Sequence, residues 1–167
     1  MVPKETSSIE DELGVLLGAC GKTIATAEST TGGYIGHLIN NVPGSSKYYV
    51  GSVVAYHTRL KQSLLNVPEV ILKAVGSVSA QAVLAMAQNV REVMGTDIGV
   101  SESGIAGPTG GNAEKPLGTV FVAISTRDGY ELVERYVFNH GRMEFKVKTA
   151  EAVLDLVRHY LARDRSG

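Results

Sequence analysis

The sequence predicts a single α/β domain over residues 1–167, a three-layer α/β/α sandwich with a mixed β-sheet. Strand-like runs alternate with helical patterns in the earlier part of the chain, the mark of parallel strands joined by crossover helices. Two later strand-like runs, "TVFVAIST" and "ELVERYVF", are joined at "RDG", and a hairpin of that kind makes the sheet mixed. A chain of 167 residues with 44% hydrophobic and 20% charged content is enough for one full core; two domains would both be small.

Residues 7–19 read as a helix, with Ser7 or Ser8 as N-cap, Glu10, Asp11 and Glu12 in the first turn, and Ile9, Leu13, Leu16 and Leu17 on one face. Gly21 follows as C-cap. "KTIATAE" is strand-like, and helical spacing resumes over 33–40 with Ile35, Leu38 and Ile39. "NVPGSS" is a turn by its Pro-Gly pair. "YYVGSVVAY" is rich in β-branched and aromatic residues and is predicted to be a buried strand. Helices are predicted over 59–65, over 68–75 with Pro68 at the first position, and over 79–94. The last is capped by Ser79 and has Val83, Met86, Ala87, Val90 and Val93 or Met94 as its apolar face. "DIGVSES" is a strand that ends in "GIAGPTGGNAEKPLG", a loop with five glycines and two prolines. After the hairpin, residues 144–162 form a last helix with Val147, Ala150, Val153, Leu154, Val157 and Leu161 along one side.

Composition excludes several function classes. A net charge of −1 gives no electrostatic basis for binding nucleic acid or an anionic membrane. The longest apolar runs, such as 50–55, are too short to span a bilayer. The first residues are polar and acidic, without the apolar core of a signal peptide. The one cysteine, Cys20, has no partner within the chain for a disulfide and reads as a small buried apolar residue. A cytoplasmic protein is expected. Nineteen clustered glycines point to backbone that something approaches closely.

Familiar motifs fail. "GACGKT" has the wrong glycine spacing for a phosphate-binding loop and precedes a strand. "GVSES" is not a nucleophile elbow. His37, His57, His140 and His159 are scattered, so no metal site is expected.

Three other stretches answer one another. In "TAESTTGG", Ser29 follows a strand and faces the start of the next helix, where free N–H groups lie. Such a serine can attack a carbonyl whose oxyanion the amides around residues 30–32 hold; Ser29, Thr30 and Thr31 read equally well as caps for that helix. A serine nucleophile needs a base, and "AYHTRLK" supplies Tyr56 at a strand end with Lys61 just beyond. A lysine drawn into an apolar cleft loses charge stabilisation and acts as a neutral base. The glycines and the Thr109 hydroxyl of "SGIAGPTGG" suit a phosphate or a flat ring against backbone. All three lie at strand carboxyl ends if the strands are parallel, which is where α/β sheets bind ligands.

"TAESTTGG", "VPGSSKYYVGSVVAY", "GSVSAQAVLAMA" and "SGIAGPTGGNAEKPLGTVFVA" together resemble the CinA C-terminal domain family. The resemblance runs from about residue 9 to residue 161, without the N-terminal domain to which many relatives are fused. Characterised members are nicotinamide mononucleotide (NMN) deamidases, so the resemblance implies an amidohydrolase acting on the NMN carboxamide, with nicotinic acid mononucleotide and ammonia as products. It implies Ser29 as nucleophile, Lys61 as base and Tyr56 as proton relay, with Glu28, Thr30, Thr31, Gly32 and Gly33 expected to bind the substrate. Gly104, Ile105, Ala106, Gly107 and Thr109 would meet the substrate together with Arg142. No metal and no cofactor is implied, and a homo-oligomer with a small-molecule substrate is expected. The family's cysteine after the serine is Thr30 here, and its Y-S-N segment reads Tyr56-His57-Thr58. Two other readings stay open: a non-catalytic nucleotide-binding or assembly module, and an esterase or amidase for a different acyl group.

Overall fold

The structure, a computed structural model, describes residues 7–164. Twelve elements follow in order among them: α1 (Ile9–Cys20), β1 (Ile24–Glu28), α2 (Tyr34–Asn41), a 3-10 turn (Ser45–Lys47), β2 (Tyr49–Val54), α3 (Thr58–Leu65), α4 (Glu69–Val75), α5 (Ala80–Met94), β3 (Ile98–Gly104), β4 (Thr119–Thr126), β5 (Glu131–Val137) and α6 (Arg142–Asp164). The five strands form one sheet in the order β2-β1-β3-β4-β5. β1 pairs in parallel with both β2 and β3, whereas β3–β4 and β4–β5 are antiparallel. The mixed sheet is therefore as predicted. The three parallel strands bring the carboxyl ends of β1, β2 and β3 to one edge.

Alternation along β1 divides the core. Ile24 packs with Leu13 and Leu17 of α1, Ile35 and Ile39 of α2, and Phe145, Val153, Leu154 and Val157 of α6. Ala25 and Ala27 point the other way, onto Leu65 of α3 and Ala85, Met86 and Val90 of α5. A strand covered on both faces reads as a continuous buried run, and all five β1 residues are buried.

Four expectations need correction. β2 is an edge strand and only half-buried, with Val50 and Val54 exposed; β-branched and aromatic content marks a strand but does not tell an edge from a centre. Pro68 is the N-cap of α4 rather than its first helical residue. Of the pair allowed by the pattern of α5, Met94 packs against the core as expected and Val93 is exposed. Cys20 is exposed, its thiol directed at the Leu17 carbonyl at 3.5 Å. The last helix starts at Arg142, two residues before the predicted start at 144.

Candidate active site

The turn that carries Ser29 is built around a buried carboxylate. Gly32 and Gly33 take positive φ values of 64° and 101°, a region that favours glycine, and Gly33 caps α2 without a side chain of its own. The capping group comes from Glu28 instead. Its Oε2 accepts from the amides of Gly33 (2.9 Å) and Ile35 (3.0 Å), and its Oε1 from the amide of Gly36 (2.8 Å). A carboxylate at a helix N-terminus satisfies free donors and meets the positive end of the dipole. Thr31 Oγ1 donates to Glu28 Oε2 at 2.7 Å, and Thr26 and Ser52 hydroxyls reach Oε1 at 3.0 and 3.1 Å. Gly36 leaves the room for this: a Cβ there would collide with the Ser52 and Tyr49 hydroxyls. With the helix capped by Glu28, the hydroxyls of Ser29 and Thr30 do not serve as its caps.

Thr30 ties the turn to the glycine-rich loop. Its hydroxyl donates to the Gly104 carbonyl (2.9 Å) and accepts from the Gly104 amide (2.8 Å). The threonine in place of the family's cysteine thus makes both backbone bonds of Gly104. Glu102, which sequence reasoning missed, supports the turn from β3. It is fully buried, and its Oε1 accepts from the amides of Ser29 (2.6 Å) and Thr31 (2.9 Å). The signal for it was present: an acidic residue inside the apolar strand pattern "IGVSESG". Its presence corrects the oxyanion assignment. The Thr31 amide is engaged by Glu102, whereas the amides of Thr30 and Gly32 bond to no described residue.

Lys61 sits on α3 with its side chain turned inward and is 1% exposed. Its Nζ donates to Ser29 Oγ at 2.8 Å and to the Ala55 carbonyl at 3.0 Å. It forms no salt bridge with a described residue. Burial pushes its pKa down, against a smaller upward pull from Glu102. Tyr56 lies just beyond β2 and is 60% exposed, so it is neither on a buried strand nor in the core. Arg142, in the first turn of α6, donates from Nη2 to Tyr56 Oη (3.1 Å) and from Nη1 to the Gly107 carbonyl (2.8 Å). His57, in the altered segment, is the N-cap of α3, its Nδ1 accepting from the Arg59 amide at 3.3 Å.

Ser29, Thr30, Tyr56, Lys61, Gly104, Ile105, Ala106, Gly107, Thr109 and Arg142 line one cleft of about 360 Å³, a size that suits a small-molecule ligand. Ser77, Val78 and Ser103 complete its wall. Contrary to expectation, Glu28, Thr31, Gly32 and Gly33 do not line it: Glu28 and Thr31 are buried, whereas Gly32 is exposed and Gly33 half-buried. A second cavity of about 310 Å³ adjoins it across Ala106, Gly107 and Arg142. Among the described residues no three His, Cys, Asp or Glu side chains come together to hold a metal ion, and no helix is long and apolar enough to cross a membrane.

The CinA C-terminal domain family matches residues 6–161. The chain belongs to that family. It is 45% identical over 94% of its length to a CinA-like protein of Cytophaga hutchinsonii and 44% identical over 84% to one of Thermotoga maritima. It spans only 37% and 34% of those relatives. Among solved structures, the competence/damage inducible protein CihA of Agrobacterium tumefaciens superimposes with a TM-score of 0.89 at 31% identity, covering 95% of this chain and 97% of that one. The competence damage-inducible protein A of Klebsiella pneumoniae gives 0.88 at 29% identity, covering 92% and 95%.

Proposed function

We propose that this family member is an amidohydrolase that releases ammonia from the carboxamide of NMN, leaving nicotinic acid mononucleotide. The observation that carries the reading is the buried Lys61 Nζ at 2.8 Å from Ser29 Oγ. A lysine with no anionic partner in a buried cleft is poised to be neutral. Its lone pair then faces the serine proton, while one of its N–H groups stays on Ala55.

In the proposed reaction Ser29 Oγ attacks the carboxamide carbon and Lys61 takes the hydroxyl proton. The Thr30 and Gly32 amides are the donors for the oxyanion. Tyr56 passes a proton to the departing ammonia, with Arg142 holding its phenol oxygen. Water then hydrolyses the acyl-enzyme on the same base. The loop from Gly104 to Thr109 and Arg142 take the ribose phosphate end. The protein acts in the cytoplasm as a homo-oligomer and needs no metal or other cofactor.

Ser29→Ala tests this reading. It removes the nucleophile without touching Glu28, Glu102 or the glycine turn. Ammonia release from NMN should vanish while NMN still binds by calorimetry. Substantial turnover in the purified variant would mean that water attacks directly or that another serine does so.

A further inference from the structure

Behind the cleft, two buried carboxyl groups meet at one hydroxyl. Thr31 Oγ1 lies 2.7 Å from Glu28 Oε2 and 2.8 Å from Glu102 Oε1. A threonine hydroxyl carries one proton and donates once. Were both carboxyls ionised, one of these two contacts would set oxygen lone pairs against each other with no hydrogen between them. A second proton on the carboxyl side closes the count.

The surroundings decide which carboxyl holds it. Glu28 receives donors on both oxygens, three of them amides at the N-terminus of α2, and this favours its anion. Glu102 receives donors on Oε1 alone, and its Oε2 is buried with no partner. An anion there would leave part of its charge without any donor in a dry interior, which is costly. The charged or titratable groups around the pair are few. They are Lys61 from α3, Tyr49 from β2 beside Glu28, and Lys146 from α6, whose Nζ lies 3.8 Å from where a Cβ on Gly32 would be. On β4 the register partner of Glu102 is the apolar Val122.

We propose that the two carboxyls Glu28 and Glu102 hold one proton between them in addition to the Thr31 hydroxyl proton, with Glu102 held as a carboxylic acid that positions the Ser29 and Thr31 amides. Glu102 gives its proton toward Thr31 Oγ1, and Thr31 gives its own to Glu28 Oε2. Burial, the largest influence on Glu102, and the negative charge of Glu28 both act to raise its pKa, against the lowering effect of the Thr31 and Ser29 bonds. A neutral Glu102 also withdraws the one nearby anion that favours the Lys61 ammonium. That last consequence rests on the proposed dyad; the proton count does not.

Infrared spectroscopy of the protein at neutral pH tests the proposal without reference to turnover. Wild type should show the carbonyl stretch of a buried carboxylic acid, and Glu102→Gln should lose it. Thr31→Val removes the bridging hydroxyl and should shift the band to higher frequency. Stability gives a second readout. With its folded pKa above the unfolded ~4.3, Glu102 contributes stability that is complete below that pH and lost as pH rises through the folded value. The stability difference between wild type and Glu102→Gln should therefore move against wild type as pH rises from about 4.3. An absent band in wild type overturns the proposal, as does a difference that moves in favour of wild type. A band that survives Glu102→Gln puts the proton on Glu28 and overturns the assignment. Should Glu102→Gln fail to fold, the wild-type band and its shift in Thr31→Val decide. Ser29→Ala should keep the band, so a failed deamidase reading and a failed proton assignment remain distinguishable.

Discussion

The two ends of β1 each carry a lysine bonded to a hydroxyl, and they behave as different chemical objects. Just before the strand, Lys22 Nζ donates to Tyr160 Oη at 2.6 Å and lies 3.7 Å from Asp128 Oδ2. It also sits 4.8 Å from the Tyr160 ring centre. Just after the strand, Lys61 Nζ meets Ser29 Oγ at a similar distance. Lys22 keeps contact with water and with a carboxylate, so its ammonium is stabilised and the cluster serves as a clasp between α6 and the β4–β5 turn. Lys61 has neither. A lysine–hydroxyl distance alone does not single out a candidate base; burial without a salt bridge does.

Arginine at each position separates the two roles most sharply. Lys61→Arg keeps the charge, but a guanidinium does not release its proton near neutral pH. Turnover should fall at least ~100-fold, within the usual range for loss of a general base, with NMN binding largely kept. Lys22→Arg should leave turnover unchanged and alter stability by no more than ~1 kcal/mol, as partly exposed ion pairs do. Near-normal steady-state turnover by Lys61→Arg would remove the base assignment.

The pH–rate profile of wild type sharpens the same contrast. A base must be deprotonated, so turnover should rise with pH through a Lys61 pKa lying below the ordinary ~10.4. Stability carries the matching sign. A folded pKa that is lowered means burial of the ammonium costs stability at low pH, and the cost is relieved as pH rises from the folded value towards ~10.4. A rate that is flat across the neutral and alkaline range would mean that Lys61 does not titrate in turnover.

Thr30→Val is expected to have a smaller effect. It deletes the hydroxyl that bonds both backbone groups of Gly104, and leaving a buried donor or acceptor unpaired costs about 1–3 kcal/mol. Denaturant melts should show a loss in that range. Turnover should fall less than in Lys61→Arg, because the proposed Ser29–Lys61 pair stays intact. No loss of stability would mean that water replaces the threonine.

Much of this was legible in the sequence because periodicity reports what each face of an element touches. The alternation of strands with helices, the Ser79 cap and the hairpin at "RDG" all reappear in the structure. The convergence of Ser29, Tyr56, Lys61 and the loop after β3 followed from parallel strands ending at one edge. What was not legible depended on distance in space. Whether "YYVGSVVAY" lies at an edge is set by strand order, which local composition does not encode. Glu28 as cap of α2 was hidden because the group lies five residues before Gly33, outside the local capping pattern. Glu102 was hidden for a like reason: its partners are more than seventy residues away, at 29 and 31.

The smallest expected effect lies in the Lys22 cluster and tests whether it is only structural. Asp128 accepts from the hydroxyls of Thr126 and Tyr160, which hold its carboxyl at a pKa of about 2. A depressed carboxylate contributes stability that is present above the ordinary ~3.9 and lost as pH falls through the folded value. The side chain is 49% exposed, so solvent screens most of the effect. Asp128→Asn keeps an oxygen acceptor but does not titrate. Its thermal stability should match wild type to within ~1 kcal/mol near neutral pH, and the acid limb between about pH 4 and pH 2 should be shallower than in wild type. Turnover should stay the same, since the cluster lies at the opposite end of β1 from Ser29. An acid limb identical to wild type would show that Asp128 is not held by its hydroxyl partners, while a fall in turnover would mean that the two ends of the strand are coupled.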